Sequence, residues 1–239
     1  MRANLLQALR SLIRVRDGPS AITASAVADI PTFVILLESN QDRCAHVYGH
    51  LIRELPGCNI VPATERDQVA GFFGKERIAV SATLRPSKFA CTASHFRVWK
   101  EIVAREMPYA IVLEDDVAIR RGFILFAQHL TRQLPSDFDL VHLYVSRPPE
   151  DWTERAANTD KLYISYIPKW GRSAYLVSRS GAQKLILGFQ TITDSGDVQI
   201  SEMARKGNLS IYCASKAYVD NLGQLTAQYK RERFRSTIW

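Results

Sequence analysis

Residues 109–116 read Tyr-Ala-Ile-Val-Leu-Glu-Asp-Asp, five apolar side chains followed at once by three acids. A short apolar run without alternation is the pattern of a strand covered on both faces, as in the centre of a parallel sheet. Its acidic end then falls at the carboxyl edge, where open α/β sheets bind ligands. Phe33-Val-Ile-Leu-Leu37, between Pro31 and the polar Ser39-Asn40, repeats the pattern and opens the globular part.

Helices and strands alternate outward from these two strands. Ser39 or Asn40 caps a helix over Gln41–Leu55 that Pro56-Gly57 ends, and a strand follows near Asn59–Val61. A helix spans about Thr64–Phe73, and a longer one, capped by Ser87, carries Phe89, Ala93, Phe96, Trp99, Ile102 and Val103 on its inner face up to Pro108. Past the acids come a helix at Phe123–Leu134 and a strand at Phe138–Val145. The charged loop Ser146–Asp160 reads as a lid. Strands at Leu162–Ile167 and Ser173–Val177, helices at Ser178–Leu187 and Val198–Lys206, and a strand at Leu209–Cys213 complete an α/β chain with a mainly parallel sheet flanked by helices.

The 239 residues, 46% hydrophobic and 23% charged, are enough for a substantial core. The formal charge of +7 sits at the ends. Residues 1–16 hold four arginines and no acid, and 229–239 hold four basic residues and one acid, so 17–228 is formally neutral. That leaves no fold-wide nucleic-acid surface. The chain divides into a basic amphipathic extension and linker over 1–30, one domain over 31–228, and a basic-aromatic tail over 229–239. Leu5, Leu6, Leu9, Leu12 and Ile13 form a helical stripe that suits either an anionic membrane or a protein surface. The tail, Tyr229 to Trp239, fits a lipid headgroup zone, single-stranded nucleic acid or plain solvent. Cys44, Cys58, Cys91 and Cys213 form no CxxC pair, which speaks against a disulfide framework or a thiolate zinc site and for a reducing cytosol. No apolar run reaches the roughly 18–20 residues of a membrane span, and no secretory signal is legible.

Three adjacent carboxylates repel one another, and a hard divalent cation such as Mn²⁺ or Mg²⁺ would relieve that repulsion while holding a diphosphate. The plainer alternative is that Glu114, Asp115 and Asp116 favour the N-terminus of the next helix. GxGxxG and GxSxG are absent, and Gly71-Phe-Phe-Gly74-Lys75-Glu76 has neither the spacing nor the hydroxyl of a phosphate loop. His46 and His50 have no third ligand in view and line a helix surface.

Four stretches occur in order: Ser39-Asn-Gln-Asp42-Arg43, Phe89-Ala-Cys91-Thr-Ala-Ser94-His95-Phe-Arg-Val-Trp99, Tyr109 to Val117, and Gly171-Arg-Ser-Ala-Tyr175-Leu-Val-Ser178-Arg-Ser-Gly181-Ala182. Together, over about Phe33–Cys213, they resemble glycosyltransferase family 25, which includes bacterial lipopolysaccharide and lipooligosaccharide galactosyltransferases and animal collagen galactosyltransferases. The resemblance implies a GT-A type nucleotide-binding fold, a UDP-sugar donor with Mn²⁺, and inverting transfer of a hexose, galactose or else glucose, to a glycan hydroxyl. It also implies a lipid-linked or lipopolysaccharide acceptor and a cytoplasmic protein peripheral to the inner face of the membrane. By position it assigns Glu114, Asp115 and Asp116 to the metal. Arg43, Ser94, His95, Asp115, Gly171 and Tyr175 go to the donor, and Asp197 is the expected catalytic base with Glu114 and Asp194 as competitors. Leu36, Ser39 and Ala90 stand where that family usually has Asn, Arg and Gly, leaving Arg43, Lys88 or Arg97 to meet the phosphates.

Two structural roles compete with these assignments: Asp197 as a helix N-cap, and His95 as a buried hydrogen-bonder. Tyr144, Trp170 and Tyr175 are candidate sugar-stacking rings, Trp170 foremost. A metal-dependent nucleotidyltransferase and a non-enzymatic basic adaptor are the rival functions.

Overall fold

A computed structural model describes residues 30–223. The amphipathic extension and the basic-aromatic tail lie outside the described residues.

The first strand, β1 (Thr32–Leu36), is buried throughout and leads into α1 (Gln41–His46), whose N-cap Asn40 accepts the Arg43 backbone N–H. The expected single helix is interrupted. A π-helical turn at Val47–Leu51 precedes a last α-turn, Ile52–Glu54. It sets the His46 and His50 rings 5.2 Å apart. Next come β2 (Asn59–Pro62), a 3₁₀ turn at Arg66–Gln68, α2 (Val69–Glu76) and β3 (Ala79–Val80). Helix α3 (Pro86–Ala104) starts with Pro86 in its first turn and Arg85 at the N-cap, in place of the expected Ser87 cap. Proline is preorganised for that position and lacks only an N–H that would go unpaired there.

The acid-ended run is β4 (Tyr109–Glu114), followed by β5 (Val117–Ile119), α4 (Phe123–Gln133) and β6 (Leu140–His142). The expected lid carries its own helix, α5 (Trp152–Ala157), before the short β7 (Tyr163–Ile164). The chain continues through β8 (Ala174–Ser178), α6 (Arg179–Gly188), β9 (Thr191–Ile192), α7 (Gly196–Arg205), β10 (Ile211–Ala214) and β11 (Val219–Asn221).

Seven strands form one sheet in the order β2-β1-β4-β8-β6-β10-β7. Five run the same way; β8 is antiparallel to both β4 and β6, and the edge strand β7 is antiparallel to β10. The α/β class and the predominantly parallel sheet are as expected. Side-chain alternation splits each central strand between two cores. Phe33, Ile35, Ala110 and Val112 pack under α2, α3, α6 and α7, whereas Val34, Leu36, Ile111 and Leu113 pack under α1 and α4. Trp99, Phe96 and Ile102 are almost fully buried, and each such side chain contributes on the order of 1.5–3 kcal/mol. Strand order reverses between β1 and β4, since the chain passes from β1 to β2 on one side and returns to β4 on the other. A crevice opens at such a switch point.

Candidate active site

A cleft of about 440 Å³ occupies this crevice. Its wall takes Leu37 and Ser39 from the end of β1, Arg43 from α1, Thr64 and Asp67 from beyond β2, and Glu114 and Asp115 from the end of β4. Helix α3 adds Ser87, Cys91, Ser94 and His95. The Thr64–Asp67 segment was not singled out in the sequence, although its place just past a strand's carboxyl end was the available signal.

The three acids do not act as one group. Alternation sends Glu114 to the α3 face with Ala110 and Val112, and turns Asp115 to the α1 face. Asp115 accepts from Arg43 Nη1 and, through Oδ2, from the Leu37 N–H at 2.8 Å. Asp116 Oδ1 accepts from Asn221 Nδ2 at 3.0 Å, and its Oδ2 lies 3.4 Å from Arg43 Nη2. Burial holds the Asp115 carboxyl above its usual range despite Arg43. Burial, then the Glu114 charge, raises Asp116 to about 7.

Glu114 belongs to a directed chain of hydrogen bonds. Trp99 Nε1 can only donate, and it donates to the Tyr175 hydroxyl at 2.8 Å. The Tyr175 proton goes to His95 Nδ1, 2.9 Å away, because the acceptor-only Glu114 carboxylate keeps the proton of the neutral ring on Nε2. His95 is left protonated on Nε2, which donates to Glu114 Oε1 at 3.0 Å. Burial and then the Arg172 charge push the imidazole down to about 4, so it is neutral at pH 7. Burial opposes the Glu114 charge, but the His95 hydrogen bond, with Arg172 and Arg43, holds this carboxylate at about 2. Tyr175 is fully buried. The assignment of Tyr175 to a stacking platform is thus corrected: it sets the His95 tautomer from inside the core.

Ser94 Oγ donates to the Ala90 carbonyl and accepts the Thr64 N–H, both at 2.8 Å, which pins the wall beyond β2 to α3. Gly171 has φ +106°, a conformation that favours glycine, and a Cβ there would lie 3.4 Å from the Ser146 backbone N. Its visible role is to let the loops meet. Arg97 gives Nη1 to the Pro62 carbonyl. His46 donates to the Val117 carbonyl at 2.7 Å, and His50 accepts the Ile119 N–H at 3.3 Å, so both dock α1 and its π turn on β5.

Arg172, which sequence reasoning passed over, is 7% exposed. It donates from Nη2 to Cys91 Sγ at 3.1 Å, while its Nε and Nη1 have no hydrogen-bond partner. Its guanidinium lies against Gly196, where a Cβ would overlap it. Asp197 follows, one of the charges Arg172 feels. The N-cap of α7 is Ser195, so Asp197 is not the cap. Asp194 is exposed and its Oδ1 accepts the Ser195 N–H. Arg172 lies in the Gly171–Ala182 motif and Asn221 in none of the four, and neither shows its partner in the sequence, because only the fold brings them to Cys91 and Asp116.

Cys91, His95 and Glu114 place three ligand atoms within 4.8 Å of one another. Burial pushes the Cys91 thiol up to about 12; its sulfur accepts from Arg172 and His95 Nε2 is given to Glu114, so the trio forms a hydrogen-bonded wall of the cleft. The charge balance does suit a hard cation near the β4 end. Glu114, Asp115, Asp116 and Asp197 outnumber Arg43 and Arg172, and Glu114 Oε2 has no hydrogen-bond partner among the described residues.

Comparison with known proteins gives a family and several relatives. Residues 29–202 match the family described as glycosyltransferase family 25 (LPS biosynthesis protein). Human procollagen galactosyltransferase 2 is 31% identical over 113 residues, 44% of this chain and 17% of that protein. Xenopus laevis procollagen galactosyltransferase 1-B is 33% identical over 107 residues, 43% of this chain and 17% of that protein. Mouse inactive glycosyltransferase 25 family member 3 is 27% identical over 107 residues, 44% of this chain and 18% of that protein. Among solved structures, the apo form of mouse xyloside xylosyltransferase 1 matches with a TM-score of 0.39 and 13% identity over 76% of this chain and 84% of that one. The matched part thus spans less than a fifth of those curated relatives.

The family match over 29–202 puts the chain in the glycosyltransferase class. This chain belongs to glycosyltransferase family 25. No helix among the described residues is long and apolar enough to cross a membrane.

Proposed function

We propose that this chain is an inverting transferase that moves a hexose, galactose or else glucose, from a UDP-sugar to a hydroxyl of a lipopolysaccharide or other cell-surface glycan. The observation that carries this reading is the cleft at the β1/β4 switch point, where Arg43, Asp115, Glu114 and His95 share one wall. Glu114, through its Oε2, and Asp116 would hold Mn²⁺ or Mg²⁺, with Asp115, whose oxygens accept from Arg43 and the Leu37 N–H, bracing that end of β4 beside them. When bound, such an ion supplies charge neutralisation for the departing diphosphate. Arg43 holds Asp115 in place, and the Trp99-Tyr175-His95 chain fixes Glu114.

Inverting transfer also needs a base for the acceptor proton. Glu114, held at about 2, is a poor base, since efficient proton transfer favours a pKa near the working pH. Asp197, freed of capping duty and only half-buried, is the better candidate. The lipid-linked acceptor and attachment to the inner face of the membrane through the basic ends belong to the same proposal. The test is a screen of UDP-sugars with and without Mn²⁺, scored by UDP release: metal-dependent turnover of one UDP-hexose supports the reading. Release of pyrophosphate from a nucleoside triphosphate would favour a nucleotidyltransferase.

A further inference from the structure

Trp170 gathers cations from three separate parts of the chain. Lys169 Nζ lies 5.3 Å from the ring centroid, and Lys88 Nζ and Arg147 Cζ each lie 6.0 Å from it. Three like charges around one ring repel, and each cation–π contact at an exposed site returns only about 0.5–1 kcal/mol. Among the described residues no carboxylate pairs with Arg147 or Lys169. Lys88 stands in the first turn of the 19-residue α3, whose N-cap makes no side-chain hydrogen bond, and its neighbour Ser87 lines the cleft. The positive end of that helix adds to the same field. Two residues beyond Trp170, the buried Arg172 leaves Nε and Nη1 without partners. The segment is also tied to the helix that bears Asp197: Ser201 Oγ donates to the Pro168 carbonyl, and Arg172 rests on Gly196. The ring and its positive rim thus adjoin the cleft wall through Ser87, beside Lys88, and through the Arg172 contact to Cys91, and they are tied to the helix that bears the candidate base.

We infer that this rim is the acceptor subsite and that it selects an acceptor carrying an anionic substituent, a phosphate or a carboxylate, on or next to the sugar that stacks on Trp170. The indole face takes the sugar's C–H surface, and Lys169, Arg147 and Lys88 take the anion. This inference rests on the transferase reading above.

The test titrates the full chain, followed by NMR of the tryptophan indole N–H signals, with methyl glucoside, its 6-phosphate, the corresponding methyl glucuronide and, separately, UDP. Trp170→Phe assigns the signal. We expect the 6-phosphate or the glucuronide to bind at least about tenfold more tightly than the neutral glycoside, and the two arms to tell phosphate from carboxylate. An Arg147→Gln/Lys169→Gln double variant should lose that preference while its UDP affinity stays within twofold. Equal affinity for neutral and anionic glycosides overturns the inference, as does a parallel loss of UDP affinity, which would give the cluster to the donor diphosphate. Absence of UDP-sugar turnover in wild type would instead count against the transferase reading, which the glycoside titrations do not address.

Discussion

His95 Nε2 and Glu114 Oε1, nineteen residues apart in the chain, meet at 3.0 Å across the junction of α3 and β4. The chain has one direction: the Glu114 carboxylate can only accept, so His95 donates from Nε2 and accepts from Tyr175 at Nδ1, and Tyr175 accepts from Trp99. A buried hydrogen-bond chain with every member satisfied makes a rigid mount for a carboxylate at the cleft wall.

Tyr175→Phe removes the hydroxyl that serves both Trp99 and His95. Leaving buried polar groups unpaired costs about 1–3 kcal/mol each. The variant should fold, unfold at lower urea concentration, and release UDP more slowly at saturating donor. Wild-type stability and rate together would refute the mounting role.

Asp116→Asn keeps an acceptor oxygen for Asn221 and removes the charge. Thermal stability should hold or rise, because burial and Glu114 already oppose ionisation of this carboxyl. Mn²⁺-dependent UDP release should fall about a hundredfold or more, the scale of one lost electrostatic contact to a leaving group. Full turnover would remove Asp116 from the metal site.

Asp197→Asn should lower kcat by about 10² to 10⁴, the usual worth of a general base, with UDP affinity unchanged. Glu114→Gln provides the contrast. If Glu114→Gln abolishes turnover while Asp197→Asn spares it, the base assignment moves to Glu114.

His142, on β6, is pushed down to about 4 by burial, against a hydrogen bond to the Gly171 backbone. Between pH 6.5 and about 4 the unfolded chain binds a proton at this site that the folded chain refuses, so its contribution to stability falls as pH falls through that window. His95 acts in the same direction, and Asp116, raised to about 7, acts against it. A His142→Leu variant isolates the one group. Urea midpoints at pH 7.5 and 4.5 should show wild type losing ground to the variant on acidification, and a constant difference would exclude the buried neutral state.

Gly196→Ala places a methyl where the Arg172 guanidinium lies. Overpacking of this kind costs about 1–3 kcal/mol. The expected readout is a lower melting temperature together with slower turnover, because Arg172 must leave both Cys91 and the neighbourhood of Asp197. An unchanged enzyme would mean that the arginine has room to move aside.

The sequence alone determined the elements and the edge at which to look. Apolar runs at 33–37 and 109–113 declared strands covered on both faces, Ser39-Asn40 marked a helix start, and the acids after Leu113 pointed to the carboxyl end of the sheet. Four motifs in order were enough for the family, because such motifs are local in the chain. Neighbours were decided only by the tertiary structure. Three consecutive acids look like one ligand set in one dimension, yet the two-residue period of a strand sends Glu114 to His95 under α3 and Asp115 to Arg43 under α1. Tyr175 looked like a surface platform until β8 entered between β4 and β6 and buried it. Arg172 and Asn221 carry no periodic signal, since their partners Cys91 and Asp116 lie 81 and 105 residues away in the chain. Pattern reports what a residue does to its own segment; which distant charge it meets depends on strand order, and that is a property of the closed sheet.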